Sequence, residues 1–166
     1  MAHPSGGSTT RIPSLGPRGE GWVALQALFM GLTVAGAWVG PRWPESVRTP
    51  LGVVGVVLFV IGVLPTLTAL RSLGPSLTAM PKPREYGELK EDGLFGVVRH
   101  PIYGGLLVMA VGWSLAFTPV ALVPAALLAV VLDLKARREE AWLAEQFPSY
   151  PAYRERVRHR FIPGVW

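Results

Sequence analysis

The side chains best equipped for chemistry fall in two strips. One is Arg99-His100-Pro101-Ile102-Tyr103-Gly104; the other is Glu139-Glu140-Ala141-Trp142-Leu143, followed by Tyr150, Tyr153, Arg154, Arg156, Arg158 and Arg160. Arginines suit anionic groups such as phosphates, and ionised glutamates only accept hydrogen bonds. These types bind and orient a polar ligand better than they attack one. The chain has no cysteine, which removes thiolate nucleophiles, thiolate metal ligands and disulfides together. His3, His100 and His159 lack the close paired spacing of a zinc site, so no metal is expected. Gly52, Gly55 and Gly62 lie inside an apolar run with no Lys-Ser/Thr behind them, which argues for helix packing and against a phosphate loop.

Each strip also has a plain structural account. His100 can simply precede a helix with Pro101 in its first turn, where a missing N–H costs nothing, while Arg99 reaches for lipid phosphate and Tyr103 anchors at the interface. Glu139 and Glu140 can pair with Lys135, Arg137 or Arg138 on a solvated helix face, and Asp133 can do the same. Gly104 and Gly105 then serve close helix contact.

The elements that must position these strips come from hydropathy. In 166 residues, half of them hydrophobic, the charges gather between four apolar runs: Trp22 to Val39, Leu51 to Leu70, Ile102 to Phe117 and Val120 to Leu134. This is the pattern of an all-α, multi-pass membrane protein with about four transmembrane helices. The last two runs are short and separated only by Thr118 and Pro119, which predicts a tight helical hairpin; a single long helix kinked at Pro119 and Pro124 is the alternative. Lys135 to Gln146 contains no Gly or Pro and should continue the last helix beyond the membrane. Residues 71–100 form a connection too long for a simple link.

The net charge is +5, with 16 Lys plus Arg against 11 Asp plus Glu. Fourteen of the basic residues fall on one side of the four-run topology, and only Arg42 and Arg48 on the other. The positive-inside rule then puts both termini in the cytoplasm and the protein in the cell membrane. Because topology accounts for the charge, nucleic acid is not an expected partner. Residues 1–20, rich in Ser, Gly and Pro, read as a flexible tail without a cleavable signal, and residues 21–166 as one domain.

The order Gly93-Leu94-Phe95, Arg99-His100-Pro101-Ile102-Tyr103-Gly104, a helical hairpin, Glu139-Glu140-x-x-Leu143, Tyr150-x-x-Tyr153 and Arg156-Val157 ahead of Pro163 resembles the isoprenylcysteine carboxyl methyltransferase family. The layout is similar to membrane phospholipid methyltransferases and, more distantly, to the C-terminal part of sterol reductases. The resemblance covers roughly the C-terminal half. It implies methyl transfer from S-adenosylmethionine to a lipophilic acceptor, such as the carboxylate of a prenylated cysteine or a lipid head group.

Carried over by position, the resemblance puts Arg99, His100, Pro101 and Tyr103 on the donor's amino-acid portion. Glu140, or else Glu139, accepts from the ribose hydroxyls. Leu143, Tyr150 and Tyr153 shape the adenine side, and Arg156, with Arg99 beside the reacting groups, holds an acceptor carboxylate. Gln146-Phe147-Pro148-Ser149 departs from the Phe-Gly of many relatives, and the N-terminal half is shorter than in the eukaryotic enzymes, with nothing that displays a prenyl tunnel. Two other functions compete: an NADPH-dependent membrane reductase, and a non-enzymatic lipid-binding protein whose arginines only read head groups.

Overall fold

A computed structural model describes residues 12–166; residues 1–11 of the expected tail lie outside the described residues. Five helices follow one another: α1 Glu20–Val39, α2 Glu45–Leu73, α3 Pro101–Phe117, α4 Leu122–Gln146 and α5 Tyr150–Arg156. The protein is all-helical. α1, α2 and α4 are long and apolar enough to cross a membrane. α3 has 17 residues, about 26 Å of helix at 1.5 Å per residue, slightly short of the roughly 30 Å hydrocarbon core. Leu28 and Leu32 on α1, Val53, Val57 and Leu64 on α2, and Val123 and Val130 on α4 are exposed, as suits a surface solvated by lipid tails.

The last two apolar runs form the hairpin, and the single kinked helix is excluded. Thr118 adopts an extended backbone at φ −159° and ends α3. Its hydroxyl accepts from the Val120 N–H and donates to the Pro41 carbonyl at 2.7 Å, tying the turn to the α1–α2 connection. Pro124 falls in the first turn of α4, where its lacking N–H leaves no bond unmade. α4 runs unbroken to Gln146, so the expected extension past Lys135 is present.

Two pairs of glycines set the α2–α3 crossing. A Cβ on Gly55 would collide with the backbone of Gly112 and Ala116, and one on Gly62 with the Gly105 carbonyl and Met109. Both partners are spaced seven residues apart on antiparallel helices, so the backbones touch twice on one seam. Gly52 meets nothing within 4 Å, so the packing role expected of it is absent. Gly104 faces the Phe161 carbonyl rather than another helix.

The two ends of the bundle differ. At one, Trp38, Trp113 and Phe117 cluster, with Trp38–Trp113 and Trp113–Phe117 ring centroids 6.2 and 4.4 Å apart. The Trp43 indole donates to the Ser114 carbonyl at 3.1 Å. Aromatic residues of this kind favour a membrane–water boundary. At the opposite end, Gly19 lies against Pro81 and Trp142, and the Lys82 N–H reaches the Arg18 carbonyl. After α5 the chain returns across the start of α3: Arg99 N–H donates to the His159 carbonyl and His100 N–H to that of Arg160. The start of α1, residues 74–100 and the C-terminal segment therefore share one end.

Candidate functional site

The returning C-terminal segment, the start of α3 and the C-terminal half of α4 meet at a buried carboxylate. Oε1 of Glu140 accepts from Arg99 Nε at 3.0 Å and Arg160 Nε at 3.0 Å, and His100 Nε2 lies 3.2 Å away. Arg160 Nη2 reaches Oε2 at 3.2 Å, while its Nη1 donates to Asp133 at 2.7 Å. Arg99 also donates to the Val157 and Arg158 carbonyls, both at 2.7 Å. Burial works against the charge on Arg160, but the hydrogen bond and field of Glu140 and the field of Asp133 prevail and raise its pKa. This network lashes three segments together and leaves Glu140 with little capacity for a ligand. The surface accounts of Arg99 as a lipid-phosphate contact and of Glu140 as a solvated ion-pair partner are overturned, since both side chains are at most 7% exposed.

His100 stands at the N-cap position of α3 with Pro101 behind it, yet its side chain makes no capping bond. Its ring stacks on Tyr103, with centroids 5.2 Å apart and planes 2° from parallel. The Tyr103 hydroxyl donates to Glu139 Oε2 at 2.6 Å.

Beside this network opens a cavity of about 570 Å³, within the usual range for small-molecule sites. α4 contributes Lys135, Glu139 and Leu143, one per turn along a single face. Arg99, His100, Pro101 and Tyr103 from the start of α3 form the next wall, and Phe147, Tyr150 and Tyr153 an aromatic end. Residues 76–80 and 87–90 roof it. The roof is tied down by Gln146 donating to the Arg84 carbonyl at 2.8 Å and Glu88 N–H to Ser76 at 3.0 Å.

Tyr153 donates to the Phe95 carbonyl at 2.7 Å, whereas the buried Tyr150 hydroxyl has no hydrogen-bond partner among the described residues. Burial pushes the Tyr153 phenol up to about 12, against the opposing pull of Arg99. Burial, reinforced by the charge of Glu140, raises Tyr150 further. Both phenols are neutral donors at physiological pH.

Of the expected site residues, Arg99, His100, Pro101, Tyr103, Glu139, Leu143, Tyr150 and Tyr153 line this cavity together. Glu140 and Arg156 do not. Glu140 is occupied by three cationic or imidazole groups, and Arg156 pairs with Glu91 on the surface with its side chain 60% exposed. The acceptor-holding place assigned to Arg156 is thus a surface ion pair. Sequence reasoning gave no site role to Arg160, Lys135 or Gln26. Gln26 carried a readable signal as the one carboxamide in the apolar run of α1. Arg160 carried none, being one of four alternating arginines.

Comparison with known proteins bears on this geometry. A stretch of 83 residues, 48% of the chain, is 35% identical to the Delta(14)-sterol reductase TM7SF2 of Mus musculus, of which the chain spans only 20%. The model of the phospholipid methyltransferase family matches residues 51–149. That match runs from the second turn of α2 through the roof, α3 and α4, and so takes in the Arg99–Tyr103 wall and the Lys135–Leu143 face. With more than half of its length and most of its cavity wall inside the match, the chain belongs to the phospholipid methyltransferase family.

Proposed function

We propose that this protein transfers a methyl group from S-adenosylmethionine to a lipophilic acceptor, with the nucleoside held in the α3–α4 cavity. The observation that carries the reading is the Tyr150 hydroxyl, a buried donor in the cavity wall with no partner among the described residues. Buried polar groups rarely lack partners, and a ligand supplies one. Tyr150 sits with Leu143 and Phe147 at the end suited to a nucleobase. Glu139, one turn before Leu143, is the α4 carboxylate that faces the cavity, so it takes the ribose role in place of Glu140. Its oxygens keep acceptor capacity beyond the Tyr103 bond, as ribose hydroxyls require.

The bound sulfonium supplies an activated methyl whose transfer discharges the sulfur. The chain's contribution is alignment and exclusion of water. Roof residues 76–80, the stacked His100–Tyr103 pair and the aromatic end confine the ligand on three sides. Holding donor and acceptor in line is worth up to about 7 to 11 kcal/mol of the barrier. Leu70, Leu73 and Ile102 make the edge toward α2 apolar, which suits an acceptor arriving from the bilayer. A phospholipid head group and a prenylated carboxylate are the acceptor classes in view. We place the site on the cytoplasmic face of the cell membrane, because the basic residues gather at that end of the bundle.

A second reading, reduction with a nicotinamide cofactor, is supported by the similarity to the mouse sterol reductase. Titrating the purified protein with S-adenosylmethionine and with NADPH separates the two. Binding of the first, its loss by about 1 to 3 kcal/mol in Glu139→Gln, and label transfer from a methyl-labelled donor into a membrane lipid extract are the expected results. NADPH binding without S-adenosylmethionine binding would reverse the assignment.

A further inference from the structure

Lys135 is 2% exposed and lines the cavity one turn beyond Glu139, on the side away from the aromatic end. Its ammonium donates to Gln26 Oε1 at 2.6 Å and to the Ala79 carbonyl at 3.0 Å, and lies 5.0 Å from the centre of the Tyr103 ring. The two acceptors and the ring face hold the amine in place at the cavity wall. An ammonium has three donors, and two are used. Among the described residues no carboxylate oxygen lies within 4.0 Å of it; of the other cations that line the cavity, Arg99 and Lys90 each have a glutamate partner and Arg18 and Arg84 have none, but Lys135 is the buried one of these three without a partner. The Gln26 amide nitrogen has only a long contact to the Met30 sulfur, 3.7 Å, so it offers a second donor beside the first.

The α4 face acts as a ruler. Lys135, Glu139 and Leu143 recur every four residues, about 6 Å apart along the axis. A nucleoside with its base at Leu143 and its ribose at Glu139 directs its 5′ substituent, and whatever approaches that substituent, toward Lys135.

Resting on the nucleoside reading above, we propose that Lys135, assisted by Gln26, is the anchor for an anionic oxygen group, a carboxylate or phosphate, at the α1 end of the cavity. That anion comes either from the amino-acid part of the methyl donor or from the head group of the acceptor.

Wild-type and Lys135→Met protein in nanodiscs are titrated with S-adenosylhomocysteine and with 5′-methylthioadenosine, which keeps the nucleoside and sulfur but has no carboxylate. Dihexanoylphosphatidylethanolamine is then titrated onto protein saturated with the second nucleoside. If the anion belongs to the donor, Lys135→Met weakens S-adenosylhomocysteine about tenfold or more and leaves 5′-methylthioadenosine within about twofold. If it belongs to the acceptor, both nucleosides are unchanged and the phospholipid weakens by a similar factor. The comparison of probes within one variant is insensitive to the folded fraction, and Lys135→Arg, which keeps the charge, should retain the anion-bearing probe. All three affinities unchanged in Lys135→Met would overturn the anchor while sparing the nucleoside reading. Wild-type protein that binds neither nucleoside would sink both.

Discussion

Nε2 of His100, just ahead of α3, lies 3.2 Å from Oε1 of Glu140 on α4, 40 positions further along the chain. The contact brings the two polar strips of the sequence into one structure, and its surroundings define what Glu140 does. Removing one member of a buried charged network leaves the others uncompensated. Glu140→Ala should therefore cost about 3 to 5 kcal/mol of stability, read as a lowered Tm in detergent, and should impair donor and acceptor use alike. A variant with wild-type Tm and a selective loss of nucleoside affinity would instead restore Glu140 as a ligand-binding residue.

Arg156 sits on the outside of α5 with Glu91 as its partner. Exposed pairs of this kind contribute about 0 to 1 kcal/mol, so Arg156→Ala should leave Tm nearly unchanged and methyl-transfer kcat/KM within a few-fold of wild type. A large rise in acceptor KM alone would place this arginine back at the reacting end.

Two glycines of α2, one on the seam with α3 and one off it, should respond oppositely to substitution. Gly62→Leu forces a side chain into the Gly105 backbone and Met109, and overpacking of this sort costs about 1 to 3 kcal/mol. Gly52→Ala has open space and should be neutral, or stabilising by up to about 1 kcal/mol through helix propensity. Thermal unfolding of both in the same detergent checks the contrast.

Tyr150 and Tyr153 hold their protons more tightly in the folded protein than in the unfolded chain, Tyr153 up to about 12. Their contribution to stability is complete below the ordinary phenol pKa of about 10 and is lost as pH rises through the folded values. Stability should be flat from about pH 7 to 9 as far as these groups are concerned and decline above about 10. Phenolate absorbance followed alongside unfolding tests this, and the double variant Tyr150→Phe with Tyr153→Phe should show a shallower alkaline decline.

Hydropathy made the four apolar runs legible because a bilayer imposes length and charge exclusion on each segment separately. The ordered motif likewise brought Arg99, His100 and Tyr103 to the same cavity as Glu139. The choice between Glu139 and Glu140 was not legible: adjacent helical positions point about 100° apart, and only the packing of α4 against the returning C-terminal segment decides which one turns to the cavity. Arg156 and Arg160 are alike in type and close in sequence, and differ because the chain after α5 carries Arg160 back over the start of α3. Gly52 and Gly55 share an apolar run, and only the position of α3 distinguishes the one in contact from the one facing open space.

The twofold backbone contact of α2 with α3 has a mechanical corollary. Helices that meet at Gly55–Gly112 and again at Gly62–Gly105 cannot slip along each other by a turn without driving side chains into peptide planes. The frame around the cavity is therefore stiff on that side. The strap of residues 74–92 is the looser wall, since its fastenings to the rest of the bundle include only single hydrogen bonds to Arg18, Lys135 and Gln146.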